Sequence, residues 1–79
     1  DGSTNLKYII PKDGIIQIQV FDIMGREIYS KSNYKTRGEH NEDINFGALN
    51  ISSGTYMIRV SSDLQKGATT KTVKVIYIK

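Results

Sequence analysis

The chain has 79 residues, no cysteine, and a net charge of +3 from 11 basic and 8 acidic residues. This length allows one small domain, and the lack of cysteine excludes disulfides from its stabilisation. No apolar run approaches the roughly 18 residues that a transmembrane helix needs, and no signal-peptide pattern opens the chain. Residues 64–79 hold four lysines and no acid. Lysines on an edge strand, where they discourage edge pairing, are a sufficient structural explanation of this excess.

The first half of the chain begins with alternating apolar and polar residues. This alternation predicts a strand over residues 5–10, which Pro11 ends because proline cannot donate to a strand ladder. Residues 11–14 have the composition of a turn, in which proline presets φ and glycine tolerates positive φ. Residues 15–21 alternate again and predict a half-buried strand.

The next segment predicts a β-hairpin with that strand. Residues 22–25 have the composition of a tight turn, in which Asp22 is expected to accept local backbone N–H groups. Residues 26–31 predict the paired strand. Ile28 is its clearest inward residue, and Tyr29 is expected on the opposite face.

The middle of the chain is more polar. Residues 32–39 predict an irregular loop, and residues 43–46 predict a short strand. Residues 49–54 predict a connecting loop held by two apolar side chains. Residues 55–61 give the clearest alternation of the chain, with Tyr56 on the inward face.

The last segment predicts a turn over residues 63–67 and a long strand over residues 68–78, rich in Thr, Val and Ile. The apolar residues of this strand fall on both faces: Val73, Val75, Ile76 and Ile78. Two arrangements fit this pattern. Either both faces are buried, or a bulge near residues 75–76 switches them.

No segment shows apolar residues at helical spacing over a window of about 11 residues. Short strands at intervals of roughly 8–12 residues, separated by turns, are typical of a β-sandwich. The sequence therefore predicts an all-β fold: one domain over residues 1–79, an Ig-like antiparallel sandwich of about seven short strands.

The only histidine, His40, has three acidic neighbours: Glu39, Glu42 and Asp43. On a strand only Glu42 shares its face. Two ligands, with no second histidine and no cysteine, do not make a metal site. The expected setting of His40 is a solvated rim between loop and strand.

No catalytic pattern occurs elsewhere. Ser52 and Ser53 lack both the nucleophile-elbow setting and an orienting histidine. Asp13 and Asp22 are explained by the turns that they are expected to cap. A sandwich of this size has little room for a pocket with convergent polar groups. We therefore expect no catalysis, cofactor, metal or small-molecule ligand. Nucleic acid is not expected either, because aromatic residues are not interleaved with the lysines.

Tyrosine is the commonest aromatic residue, with five copies. Tyr8 and Tyr56 lie on inward faces and are expected in the core. Tyr29 and Tyr34 are expected to be exposed, where stacking on sugars is conceivable. This leaves an alternative function: a non-catalytic Ig- or fibronectin-like accessory module that acts as a spacer, in adhesion or in weak carbohydrate binding.

Several short motifs follow one another along the chain: L-K-Y-I-I-P at 6–11, I-Q-I-Q-V-F-D-I-M-G-R at 16–26, G-E-H at 38–40, S-S-G-T-Y at 52–56 and K-T-V-K-V at 71–75. In this order the chain resembles the Ig-like C-terminal sorting domain of the type IX secretion system of Bacteroidota. Each motif alone is weak, and the Y-D-x-x-G-R type of hairpin also occurs in Ig-like domains of flagellar hook-capping proteins. The order and spacing of the motifs are more specific, and they cover nearly the whole chain.

The resemblance implies a function as a cargo tag. The domain would be cut from a larger secreted protein that reaches the periplasm by an ordinary signal. The outer-membrane translocon would recognise the folded tag, and a sortase would remove it and attach the cargo to the cell surface. The cargo would thus be secreted or surface-bound, and any enzymatic activity would belong to the cargo.

The resemblance also implies which residues the secretion machinery recognises: Gly25, Arg26, Gly54, Tyr56, Lys71, Val73, Lys74, Val75 and Lys79. An exposed last strand offers free backbone groups that a receptor can extend by strand addition. Lysines on its outer face would favour an acidic partner. The same edge is expected to allow self-association of two copies.

Overall fold

The computed structural model describes residues 2–62 and 70–78. These residues form six strands and one 3₁₀ helix, which spans Phe46–Leu49. The strands are β1 Ser3–Ile10, β2 Gly14–Asp22, β3 Glu27–Lys35, β4 Gly38–Asn45, β5 Gly54–Ser62 and β6 Thr70–Tyr77. Among the described residues, no helix has the length and apolar character required to cross a membrane.

The strands form two antiparallel sheets. One contains β1 and β4, and the other has the order β3-β2-β5-β6. The prediction of an all-β antiparallel sandwich is confirmed. In the four-stranded sheet β3 and β6 are the edge strands, and within residues 2–62 and 70–78 each pairs on one side only.

The core lies between the sheets and follows the alternation of the strands. Phe46, Ile58 and Val20 are its largest fully buried side chains. Tyr8 and Tyr56 are buried, as predicted, and Tyr77 is buried as well. The remaining core residues are aliphatic: Leu6, Ile10, Ile16, Ile18, Ile44 and Val60. The predicted loop after the 3₁₀ helix is held by the half-buried side chains of Leu49 and Ile51, as expected.

The loop predicted over residues 32–39 is wrong. Strand β3 continues to Lys35 and β4 begins at Gly38, so only two residues connect them. Gly38 has a φ of +122°, a value that glycine adopts without steric cost. Residues 32–39 have the composition of a loop because one face of β3 and of β4 is polar and exposed, and because charged side chains also occupy inward positions. Strand β4 therefore starts earlier than predicted. It also ends one residue earlier, at Asn45, which caps the 3₁₀ helix that begins at Phe46.

A β-bulge occurs in the β2–β3 hairpin rather than in the last strand. Val20 lies opposite Tyr29 and Phe21 opposite Glu27, which leaves Ile28 as the extra residue. The bulge brings both Ile28 and Tyr29 against the core. The prediction that Tyr29 faces away from the core is therefore wrong, because simple alternation does not survive an inserted residue.

The last strand, β6, pairs with β5 without a register shift. Val73 and Val75 pack against the core, whereas the side chains of Ile76 and Ile78 are 68% and 81% exposed. Both predicted arrangements, burial of two faces and a bulge, are wrong, because the outer face of this edge strand is open to solvent. The turn predicted over residues 63–67 and the first residues of the predicted strand lie outside the described residues.

Candidate functional site

The strand register brings three separate segments together at one end of the four-stranded sheet. Asp22, the last residue of β2, lies opposite Tyr56, and Tyr56 lies opposite Val75. Gly54, the first residue of β5, lies opposite Tyr77. The β2–β3 turn, the start of β5 and the end of β6 are therefore neighbours. We call this region, residues 22–26, 54–56 and 74–78, the turn end of the sheet.

The β2–β3 turn is organised by the carboxylate of Asp22. Its Oδ1 accepts hydrogen bonds from the backbone N–H groups of Met24 and Arg26, both at 2.9 Å. Its Oδ2 accepts one from the Arg26 Nε at 2.8 Å. Gly25 has a φ of +86°, which disfavours residues with a side chain. The D-x-x-G-R motif thus specifies this turn, and the prediction that Asp22 caps it is confirmed.

These contacts stabilise the charged form of Asp22. The backbone N–H of Arg26, and then its guanidinium, lower the pKa of this carboxyl below its usual value. Arg26 itself remains open to solvent, with 79% of its side chain exposed. The turn therefore presents an arginine whose position is defined by an acid within the same turn.

Tyr56 fixes the start of β5. Its hydroxyl donates a hydrogen bond to the Ser52 carbonyl oxygen at 2.6 Å, and its ring packs edge-on against Phe46 with centroids 5.7 Å apart. Gly54 lies beside this ring. A Cβ added at Gly54 would meet Tyr56 atoms at 3.8 and 3.9 Å, which is ordinary contact. The S-S-G-T-Y motif therefore ties the loop after the 3₁₀ helix to the first residues of the strand.

The two described lysines of β6 point in opposite directions. Lys74 lies in register with Met57 on the outer face. Lys71 lies in register with the buried Val60, and its amine donates to the backbone carbonyl of Lys7 on β1. The expectation that both lysines lie on the outer face is wrong for Lys71, because alternation along the strand separates residues that are three apart.

The residues implied by the resemblance fall into two structural groups. Gly25, Arg26, Lys71 and Lys74 are exposed. Tyr56 is buried, and Val73 and Val75 pack against the core, so these three hold β5 and β6 in place. Gly54 is half-buried between the groups. Lys79 lies outside the described residues.

His40 lies within β4, not on a solvated rim. It is half-buried, its ring stacks on Tyr8 with centroids 5.7 Å apart, and its Nε2 contacts the Thr36 carbonyl oxygen at 2.5 Å. Glu42 shares its face, as predicted, but binds Lys31. The residues that the structure describes contain no group of three or more His, Cys, Asp or Glu side chains that could hold a metal ion.

Two other polar predictions can be compared with the structure. The Asp13 carboxylate accepts a hydrogen bond from the backbone N–H of Arg37 at 2.7 Å, so it joins its own turn to the β3–β4 turn. Tyr34 is 62% exposed, but Tyr29 packs against the core. The pair of exposed rings that suggested sugar stacking is therefore not formed.

No functional role was predicted from the sequence for the outer face of the four-stranded sheet. Phe21, Met57 and Arg59 lie there and line an open groove of about 590 Å³ that reaches Ile23 and Lys74. The available signal was the presence of large apolar residues at outward positions of two alternating strands, where polar residues are the rule.

The chain is similar to a known protein family. The profile of the family described as "Secretion system C-terminal sorting domain" matches residues 2–78, nearly the whole chain. No curated protein and no solved structure matches the chain. Domains of this family are sorting signals for type IX secretion, so the cargo is secreted or attached to the cell surface by way of the outer membrane. The chain belongs to the family of type IX secretion system C-terminal sorting domains.

Proposed function

We propose that the outer-membrane translocon binds this folded domain at the turn end of the four-stranded sheet. In this proposal the chain is the non-catalytic tag of a larger secreted protein. A sortase then removes the tag and attaches the cargo to the cell surface. The sorting function follows from the family, whereas the binding site and the later steps are our inference.

The position of β6 is the observation that carries the proposed binding site. Among the strands that the structure describes, β6 has a hydrogen-bonded neighbour on the β5 side only, and its pairing with β5 runs without a bulge from Thr70 to Tyr77. An edge strand with regular geometry offers its free N–H and C=O groups to a strand from a partner. Recognition by strand addition would make the backbone the main binding element.

The side chains proposed for recognition then have two kinds of role. Arg26 and Lys74 are exposed at or near the turn end, where they can contact a partner directly. Val73, Val75 and Tyr56 support the strand from the core side. Gly25 maintains the geometry of the turn, Lys71 ties β6 to β1, and Gly54 lies at the start of β5, where a partner can approach the backbone. Lys79 is proposed from the resemblance alone. An acidic partner surface would match the two exposed cations.

The domain is proposed to have no catalytic role of its own. The one histidine stacks on Tyr8 and contacts a backbone carbonyl, and its neighbour Glu42 binds Lys31. These side chains are occupied by structural contacts. An Ig-like classification of the sandwich is also proposed. It is supported by the Tyr56–Ser52 hydrogen bond, which is similar to the tyrosine corner of Ig-like sandwiches.

A fusion assay tests the binding proposal. Residues 1–79 are fused to a periplasmic reporter in a strain with the type IX machinery, and the reporter is measured in the medium, on the surface and in the periplasm. We expect export with the intact tag and periplasmic retention when residues 75–79 are deleted. A reporter of lower mass in the medium would reveal removal of the tag. Retention of the reporter with an intact, folded tag would refute the proposed function.

A point variant separates recognition from folding. Reversal of charge by Lys74→Glu changes an exposed side chain on the outer face of β6, so the fold is expected to persist. Lys12→Glu makes the same charge change at an exposed turn far along the chain from the turn end. We expect Lys74→Glu to reduce export and Lys12→Glu to leave it unchanged. Equal export by both variants would contradict a role for the Lys74 charge.

A further inference from the structure

The outer face of the four-stranded sheet carries an apolar patch at its turn end. Phe21, Met57 and Lys74 lie side by side in one row across β2, β5 and β6. In the next row Thr55 lies opposite Ile76, and Ile23 follows the end of β2 on the other side. A groove of about 590 Å³ is lined by Phe21, Ile23, Thr55, Met57 and Lys74, and Ile76 borders it next to Thr55.

The exposure of this patch is unusual for a small domain. Ile23 is 75% exposed and Ile76 is 68% exposed, whereas the isoleucines of the inward face, such as Ile18 and Ile58, are buried. A contiguous apolar surface of this kind, bordered by polar residues, is typical of a binding site. The residues come from three strands, so the patch exists only in the folded domain.

A fixed cation borders the patch. The Arg59 guanidinium lies over the Phe21 ring, 5.2 Å from its centroid. Gln19 Oε1 accepts hydrogen bonds from Arg59 Nη2 at 2.7 Å and from Nε at 3.1 Å. Gln19 Nε2 in turn donates to Glu27 at 2.6 Å. This chain of contacts holds the arginine against the sheet and balances part of its charge.

Lys74 supplies the unmatched charge of the groove. Asp22 also lines it, but this carboxylate is neutralised by Arg26 within the turn. Among the described residues, no hydrogen bond or ion pair involves the Lys74 amine. The groove therefore combines an apolar floor with one free positive charge and a second that is partly compensated.

From this arrangement we infer that the outer face of the four-stranded sheet binds a short protein segment in which an aliphatic side chain is adjacent to a carboxylate. The aliphatic side chain occupies the groove over Phe21 and Met57, and the carboxylate pairs with Lys74. Because the partner would belong to the secretion machinery, the inference rests on the proposed function. It adds a second contact surface next to the β6 edge.

The charges disfavour other occupants. In a symmetric pair of two copies this face would meet itself, which would bring two copies of Lys74 into one interface, where the one carboxylate among the described lining residues, Asp22, is already paired with Arg26. Recognition of an anionic lipid surface typically uses clusters of about 4–8 basic residues, far more than the one free lysine in this groove. A single carboxylate beside an aliphatic group matches both the charge and the apolar area.

A peptide titration tests this inference directly. The 79-residue chain, labelled with ¹⁵N, is titrated with an acetylated hexapeptide that alternates isoleucine and glutamate, and NMR shifts are followed. We expect saturable shifts in residues 55–59 and 72–76 with a Kd on the order of 0.1–1 mM, as for a small contact area. Peptides with lysine for glutamate, or serine for isoleucine, should bind at least about threefold more weakly.

Matched variants locate the site. Ile76→Ser removes an exposed isoleucine from the patch, and Ile9→Ser removes one of similar exposure, 64%, from the other sheet. Ile76→Ser and Lys74→Glu should each weaken peptide binding by about three- to tenfold, whereas Ile9→Ser and Lys12→Glu should not. Equal binding of the acidic and basic peptides, or shifts confined to the β1–β4 sheet, would overturn the inference. So would Lys74-dependent sedimentation with phosphatidylglycerol vesicles, which would assign the face to a membrane.

The same variants in the export assay separate this inference from the proposed function. Export of the intact tag together with retention of the Ile76→Ser tag supports both. Export of both tags at equal levels overturns the inference and leaves the sorting function intact. If the intact tag is itself retained, the proposed function fails, and the peptide titration alone decides whether this face binds an acidic aliphatic segment.

Discussion

Glu42 on β4 and Lys31 on β3 form an ion pair that joins the two sheets across the interior. The partners are not equally buried, because the exposed fraction is 11% for the Glu42 side chain and 37% for Lys31. Removal of the lysine would leave a buried carboxylate without its partner. Removal of the glutamate charge would leave a lysine that can turn towards solvent.

We therefore expect Lys31→Met to reduce the free energy of unfolding by about 1–3 kcal/mol, and Glu42→Gln to cost clearly less. Urea denaturation at neutral pH measures both. The double variant Lys31→Met/Glu42→Gln should be more stable than the sum of the single changes implies, because it leaves no unpaired charge. Equal costs for the two single variants would show that the asymmetry in burial has no energetic effect.

The same pair predicts a loss of stability at alkaline pH. The hydrogen bond to Glu42 raises the pKa of Lys31 above its usual 10.5. A lysine whose pKa is higher in the folded state stabilises the fold fully at pH values below its unfolded-state pKa. This stabilisation disappears as the pH rises through the folded-state pKa. Burial also raises the pKa of the Tyr8 hydroxyl, so the comparison is best made in a Tyr8→Phe background. There, unfolding free energy should fall more steeply above about pH 10.5 with Lys31 than with Met at this position.

Two tyrosine hydroxyls are expected to have opposite effects on stability. The Tyr56 hydroxyl donates to the Ser52 carbonyl, whereas the buried Tyr8 hydroxyl has no hydrogen-bond partner among the described residues. Tyr56→Phe should cost about 1 kcal/mol, and Tyr8→Phe should be neutral or stabilising by up to about 1 kcal/mol. Thermal and urea denaturation of both variants provide the test. A destabilising Tyr8→Phe would indicate that its hydroxyl does have a partner.

The carboxylate of Asp22 predicts a pH dependence on the acidic side. Its pKa lies below the usual 3.8 because the Arg26 backbone N–H and guanidinium bind the charged form. A carboxyl group whose pKa is lower in the folded state stabilises the fold at pH values above its unfolded-state pKa. This stabilisation is lost as the pH falls through the folded-state pKa. Asp22→Asn should therefore be less stable than the native chain at neutral pH, and the difference should shrink below about pH 4. The control Glu39→Gln, at an exposed position, should show a smaller difference.

The two glycines proposed for recognition differ in whether their backbone conformation requires glycine. Gly25 has a φ of +86°, so Gly25→Ala should cost about 1 kcal/mol, and Gly25→Asn should cost less because asparagine tolerates this region better. Gly54 has no such requirement, and an added Cβ would make only ordinary contacts. Gly54→Ala should keep the fold, as circular dichroism and denaturation can verify. Loss of export by a fully folded Gly54→Ala tag would then indicate recognition of this position by a partner.

Local patterns were sufficient to predict much of this fold. The alternation at Ile16, Ile18 and Val20, and again at Ile58 and Val60, gave the correct inward faces because one side of each strand is buried. The hairpin turn was also predictable. Its geometry depends on Asp22 and Gly25, and all the contacts that define it lie within residues 22–26.

Long-range relationships were not predictable in the same way. Residues 32–39, between Lys31 and Glu42, were predicted as an irregular loop because they are polar. The ion pair between these two flanking residues forms only when the two sheets pack together, so local sequence does not show it. The bulge at Ile28 could not be predicted, because no glycine or other turn residue marks its position in the sequence. Alternation placed Ile76 on the face opposite Val75, but the exposure of that face depends on how the two sheets pack, which local alternation does not show.

The two edges of the four-stranded sheet differ in how they can pair with other chains. Strand β3 has a bulge and an inward-pointing charge in its middle, Lys31, and both features interrupt edge-to-edge pairing. Strand β6 has its inward lysine at the start, and residues 73–77 form an uninterrupted ladder. Pairing of two copies through β6 would therefore close on itself as a dimer. Growth of this sheet into a fibril would need a second regular edge, so the asymmetry lets the domain keep one edge available without a route to polymerisation through that sheet.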